Sequence, residues 1–363
     1  MEPYIPETLP LNSIKWNSLL EKITEANSKI SEYSGMLSAV HNPGILLSPM
    51  STQEAVLSSK IEGTQATLEE VLRYEADPGS ADKNENDIIE VINYRKAMDY
   101  ALEAMNEKPV NLNMIKKMHG ILLSGVRGHN KRPGEFRKDQ NFIGMPGAKI
   151  ENARYVPPTP LILDQCLDNF INYFHFQERD KVVQAAVMHA QFEIIHPFGD
   201  GNGRVGRLLI PLFLFEKKKV SFPVFYISAF FDRHRDEYYF RLKEISEKKD
   251  WEGWINFFLD AVIEQASENM RKVSEIMVLY DRIKKDIGSV IKTRYAIDVL
   301  DALFKTPFFT SRDFSEMSGI PHASTARIIK NMVKKGILTE ARKGAGRRPA
   351  IIYFEKLIKI IND

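Results

Sequence analysis

Apolar residues recur three and four positions apart along most of the chain, a spacing that predicts amphipathic helices. It predicts them over Ile14–Leu37, Asp87–Asn106, Met114–Leu123, Leu163–Phe176, Val182–Ile195 and Trp254–Lys285. Ser51-Thr52-Gln53-Glu54 and Thr67-Leu68-Glu69-Glu70 each have the form of a capping box at a helix start. The helix beginning after Ser51 should end at Ser58-Ser59-Lys60-Ile61-Glu62-Gly63, with Gly63 as its C-terminal cap. Lys131–Pro160 breaks the pattern: it is rich in Gly and Pro, and Asn141–Gly144 and Arg154–Val156 read as the short strands of a hairpin. A lone hairpin in a helical protein needs a packing partner or a ligand.

After about Gly288 the character changes. Helices over Tyr295–Phe304, Ser311–Met317 and Ala323–Lys335, with a turn at Gly319-Ile320-Pro321, are followed by Leu338–Ala341, a Gly/Arg loop Lys343–Pro349, and Ile351–Phe354. Three helices and a two-stranded ribbon make a winged helix-turn-helix pattern. The expected class is mainly α, divided into an N-terminal helical region (1–105), a core with a small hairpin (106–250), a long bridging helix (251–290) and the winged module (291–363).

A length of 363 residues favours more than one domain, and 44% hydrophobic with 27% charged residues is a globular balance. The single cysteine, Cys166, excludes a disulfide framework or a cysteine metal cage within one chain. The opening MEPYIPETLP lacks the basic and apolar regions of a signal peptide, and the longest apolar run, Leu208–Phe215, is too short to span a bilayer. A cytoplasmic protein without a membrane partner is expected. The net charge of +2 is uneven: from Lys292 onward 14 Lys/Arg face 7 Asp/Glu, so the module carries +7 and the remainder −5. A basic module on an acidic body points to an anionic partner for the module alone.

The richest segment is Gln191–Phe215, QFEIIHPFGDGNGRVGRLLIPLFLF. A buried helix must stop at His196, because Pro197 disfavours helical geometry in the residue before it. Gly199-Asp200-Gly201-Asn202-Gly203 lets backbone amides converge ahead of a second apolar helix, and a helix N-terminus is an anion site. Arg204 and Arg207 fall in that helix's first turn, where cations oppose the dipole unless an anion lies between them. A polyphosphate fits.

HPFGDGNGRVGR resembles the full signature of the Fic family, HPFx[DE]GNGRxxR, at every fixed position. The resemblance extends to the hairpin, to SAFFDRHRDEYYFRL and to the winged module. It implies a helical enzyme that uses ATP and Mg²⁺ to transfer AMP to Ser, Thr or Tyr hydroxyls of a protein, itself included. His196 is then the general base and Asp200 the metal ligand, while Gly201, Asn202, Gly203, Val205 and Gly206 shape the nucleotide cradle. Arg204 and Arg207 hold the outer phosphates, and Phe198 is a core anchor. The hairpin becomes a flap aligning the target by strand addition, with Phe142, Ile143 and Gly144 over the nucleotide. Tyr238 and Tyr239 match a pair that contacts adenine, whereas His234 stands where many relatives carry Asn.

Ser58 to Gly63 also resembles the family's inhibitory motif, [ST]xxxE[GN]. Glu62 would then pair with Arg207 and occupy the γ-phosphate position. In the module, Arg327, Lys330, Lys334 and Lys335 on the recognition helix and a wing over Lys343–Arg348, with Arg347, suit DNA phosphates. Protein contact, a homodimer included, is the alternative. Two rival functions stand beside AMP transfer: a nucleotide-sensing transcriptional regulator, and a metallohydrolase using His189, Glu193 and His196 on one helix face. Removal of AMP as well as its addition is compatible with the same residues.

Overall fold

The structure is a computed structural model and describes residues 2–363 except 41, 79–83, 127, 129–130, 145–148, 291–294 and 347, and except the side chains of 289–290. The tip of the expected hairpin and Arg347 of the expected wing therefore lie outside the described residues.

The protein is mainly helical with one small antiparallel sheet. Helix α1 (Trp16–Ala39) buries Leu19, Ile23, Ala26, Ile30, Tyr33 and Leu37, a stripe of three- and four-residue steps, against the long helix α12 (Trp251–Val290). Each of its leucines and isoleucines contributes about 1.5–3 kcal/mol on burial, so this stripe holds α1 in place. The short α2 (Pro43–Leu46) leads into α3 (Ser48–Ile61), α4 (Leu68–Ala76), α5 (Glu85–Met105) and α6 (Leu112–Leu122). Helices α7 (Pro160–His175), α8 (Lys181–Ile195), α9 (Asn202–Glu216), α10 (Ser228–Arg233) and α11 (Arg235–Lys248) complete the body around α8.

Helix α8 is the centre. Asp180 caps it by accepting from the amides of Val182 and Val183 at 2.8 and 2.9 Å. From Val182 to Ile195 every residue except Glu193 is buried, which turns that one carboxylate toward the gap between α8 and α9.

The C-terminal elements follow the expected order: α13 (Ala296–Lys305), α14 (Ser311–Ser318), α15 (His322–Lys334), β2 (Thr339–Arg342) and β3 (Ile351–Tyr353). Two more elements join them, β1 (Phe308–Phe309) and α16 (Glu355–Asn362). The strand order is β1-β3-β2, antiparallel, with Tyr353 opposite both Phe308 and Thr339. Gly319 takes a positive φ of 65° at the turn between α14 and α15.

Two local expectations need correction. The capping box at Thr67–Glu70 forms, but the one at Ser51–Glu54 does not. Pro49 sits in the first turn and starts α3 earlier, at Ser48. Glu54 turns inward instead, accepting from the amide and hydroxyl of Ser228, and burial pushes its carboxyl up to about 7. Among the described residues the hairpin comes down to a single bridge, Ile143 opposite Tyr155, and a helical turn over Ile150–Asn152 and the prolines after Val156 interrupt the extended backbone.

Candidate active site

His196 ends α8 with φ 49° and ψ 60°, a left-handed conformation uncommon outside glycine. Arg137 holds it there. Its Nε donates to the His196 carbonyl at 2.9 Å, its backbone amide to that of Pro197 at 2.9 Å, and its Nη2 to Pro158. The His196 ring places Nδ1 3.3 Å from the Glu193 carbonyl. A carbonyl only accepts, so Nδ1 carries the ring proton and Nε2 keeps its lone pair. Burial pushes this imidazole down to about 4, which makes it a neutral acceptor at pH 7.

The loop that follows is fastened from inside. Phe198 is fully buried, as expected of an anchor. The Asn202 side chain accepts from the Phe198 amide at 2.8 Å and donates to its carbonyl at 2.9 Å. Asn202 is thus a staple for the turn, and only its backbone amide is left to face outward. His119 stacks on Phe198 with ring centroids 3.8 Å apart. Its Nδ1 accepts from the Gly134 amide at 2.9 Å, so Nε2 carries the proton and donates to the Asp200 carbonyl at 3.0 Å.

Gly201, φ 75°, opens α9, whose first amides point out of the helix without intrahelical acceptors. The Asp200 carboxylate accepts from the Gly201 amide at 2.6 Å, and its side chain is 39% exposed. Val205 packs wholly into the core and offers the loop only backbone, in contrast to its assignment to the cradle. Gly206 packs against Glu193: a Cβ there would lie 2.3 Å from Glu193 Oε1.

The two arginines differ. Arg204, 2% exposed, donates to Glu90 of α5 at 2.7 Å, so one end of its guanidinium is already committed. Arg207 is fully buried; Nε donates to Ser58 Oγ and Nη2 to the Ser58 carbonyl, both at 2.9 Å, and Nη2 meets Glu62 Oε1 at 2.6 Å. Its Nη1 has no hydrogen-bond partner among the described residues. Burial would raise the Glu62 carboxyl, but Arg207 outweighs it and holds the group below its usual range. The carboxylate rests on Gly203, where a Cβ would lie 2.2 Å from Glu62 Oε1. The expected Gly63 cap forms: Gly63 has φ 100°, its amide reaches the Lys60 carbonyl and that of Thr64 the Ser59 carbonyl, at 2.9 and 3.2 Å.

Tyr238 is 1% exposed, its hydroxyl 2.9 Å from His189 Nε2, so it is a core residue and not a surface for adenine. Tyr239 is 43% exposed and remains the available ring. His234 is exposed and packs on Phe230 with centroids 4.3 Å apart. Phe142 and Ile143 are exposed on the flap, and Asn141 ties its base to the Phe198 carbonyl at 3.1 Å. At Gly144 a Cβ would meet only ordinary contacts, the nearest at 3.6 Å. The metallohydrolase arrangement is not assembled: His189 is engaged by Tyr238, and no metal-holding group of three or more His, Cys, Asp or Glu occurs among the described residues.

Sequence reasoning missed Arg137, His119 and Glu90. Arg137 lies in the Lys131–Pro160 stretch with no local signal for its role, and Glu90 is 114 positions from its partner. Glu193, named above only as a candidate metal ligand, has its Oε1 buried with no hydrogen-bond partner among the described residues, and burial pushes its carboxyl up to about 8. A folded-state value raised above the ordinary 4.5 gives stability that is present at low pH and lost as pH rises through about 8. Glu193→Gln should therefore flatten the fall in melting temperature between about pH 4.5 and about pH 8. Parallel curves for the two proteins would refute this.

Fold and site together define a helical protein whose chemistry is concentrated in one histidine, glycine-turn and arginine segment. A model described as Fic/DOC family N-terminal matches residues 20–103, one described as Fic/DOC family matches 109–214, and the chain belongs to the Fic/DOC family. It is 27% identical over 224 residues to a probable protein adenylyltransferase of Aquifex aeolicus, covering 60% of this chain and 61% of that one. With the protein adenylyltransferase Fic of Drosophila virilis it shares 28% identity over 244 residues, 64% of this chain and 46% of that protein. The chain thus spans about half to three-fifths of the length of these relatives. A Fic family protein from Desulfovibrio desulfuricans G20 has the same fold over 98% of both chains (TM-score 0.58, 17% identity). Fic-1 from C. elegans matches over 70% of this chain and 72% of its own (TM-score 0.53, 17% identity).

Proposed function

We propose that the protein transfers AMP from ATP to a hydroxyl side chain of a protein, itself among the targets, and that Glu62 restrains it. The observation that carries this is the Glu62–Arg207 pair of 2.6 Å seated on Gly203, beside a histidine whose Nδ1 carries the proton and whose Nε2 keeps its lone pair. The carboxylate stands in for a phosphate oxygen, because a fully buried guanidinium demands an anion.

In the reaction, the target hydroxyl gives its proton to His196 Nε2 as its oxygen bonds to the α-phosphorus. The bond from that phosphorus to the bridging oxygen breaks, and pyrophosphate leaves. The open amides of Asn202, Gly203 and Arg204 stabilise charge on the phosphoryl oxygens, and Arg207 holds the departing end once Glu62 swings away. Asp200, partly exposed at the mouth of the turn, would hold Mg²⁺, a hard cation bound through one or two carboxylates together with substrate phosphates. When bound, that ion neutralises phosphate charge. Phe142 and Ile143 present flap backbone and apolar surface to the incoming polypeptide. Mass spectrometry of the protein after incubation with ATP and Mg²⁺, wild type against Glu62→Gly, tests the reading; no mass gain in either would remove it.

The C-terminal module is proposed to bind duplex DNA. Arg327, Lys330 and Lys334 are exposed on α15, and Lys343 and Arg348 on the loop between β2 and β3. An electrophoretic shift should weaken steeply as salt rises from about 50 to about 200 mM. A shift insensitive to salt, or none, points instead to protein contact through this face.

A further inference from the structure

The Glu62 turn is bracketed by two helices that both rest on the C-terminal module. Helix α3, which ends in that turn, packs against α13 and α16. Helix α4, which follows it, packs against β1, and its C-cap Asp77 accepts from Arg342 of β2 at 2.6 Å. Lys272 of α12, only 9% exposed, donates to the Ile361 carbonyl at 2.7 Å and so fixes α16 beside α3. On the opposite side of the same corner, Ser58 and Glu62 hold Arg207. The cap joining Thr64 to Ser59 fixes the backbone of the turn, so the seating of α3 and α4 sets the position from which Glu62 reaches Arg207. Packed interfaces move between discrete seatings and do not stretch continuously.

From this sandwich we infer that the C-terminal module is the control element of the Glu62 restraint: its seating on α3 and α4 holds the carboxylate on Arg207, and unseating it frees the site. The inference rests on the proposed reading of Glu62 and adds the part of the chain that governs it. The coupling runs in both directions, since displacement of Glu62 by nucleotide must loosen the module by the same factor.

The test measures transfer of label from α-labelled ATP in four full-length proteins: wild type, Arg342→Ala, Glu62→Gly, and the two substitutions combined. The Asp77–Arg342 pair is partly exposed, so its loss is a small share of the fold's stability. Arg342→Ala should raise labelling roughly fivefold over wild type and leave the Glu62→Gly background unchanged, because no restraint remains there to relax. The exchanged pair, Asp77→Arg with Arg342→Asp, should return labelling toward the wild-type level. Labelling that stays at wild-type level in Arg342→Ala, that rises equally in both backgrounds, or that remains high in the exchanged pair overturns the coupling. If Glu62→Gly itself labels no better than wild type, the reading of Glu62 fails first and carries this inference down with it.

Discussion

His196→Ala lowers transfer of AMP by roughly a thousandfold, within the range contributed by a positioned general base. That is about 4 kcal/mol of transition-state stabilisation. ATP affinity should stay near the wild-type value, because in the proposed reaction the ring takes the proton of the target hydroxyl and is given no phosphate to hold. The pH profile of the wild type tests the same assignment. A base works only when deprotonated, and burial places this imidazole near 4, so activity should hold as pH falls from neutrality and decline only toward about 4. An acid limb centred on the ordinary histidine value would show that the ring is not buried in the working enzyme. Undiminished labelling by the alanine variant would remove His196 from the chemistry altogether.

Glu62→Gly raises transfer by about an order of magnitude or more, provided that its carboxylate and the terminal phosphate compete for one guanidinium. Two effects should appear together. Without nucleotide the variant melts at a lower temperature, because Arg207 is fully buried and loses its anion. With ATP and Mg²⁺ the variant gains more in melting temperature than the wild type does, because a ligand that binds only the folded state stabilises it according to its affinity. Glu62→Gln separates charge from bulk: it keeps the side chain on Gly203 but gives Arg207 a neutral amide. A glycine variant with unchanged labelling and unchanged nucleotide response would detach Glu62 from the site.

What the sequence revealed follows the range of the interactions involved. The α8 and α9 helices were legible because apolar spacing and the Pro197 boundary are local, and the glycine turn was legible because its chemistry is contiguous. The helix start at Ser51 is displaced because a capping box and a nearby proline compete, and Pro49, two residues earlier, sets the first turn. Tyr238 and Tyr239 are adjacent and chemically identical, so only packing could decide that one is core and the other surface. The ties of Arg204 to Glu90 and of His196 to Arg137 join residues far apart in the chain, for which a sequence alone carries no spacing rule. β1 and α16 are short, and their stability derives from neighbours more than from their own periodicity.

The double grip of Asn202 on Phe198 bears on the thermodynamics of nucleotide capture. Because the turn is locked at both the amide and the carbonyl of Phe198, the conformational entropy of shaping it is lost during folding and not when an anion arrives. The rigid cradle leaves the Glu62 turn, with the helices that carry it, as the place where the idle protein and the loaded one differ.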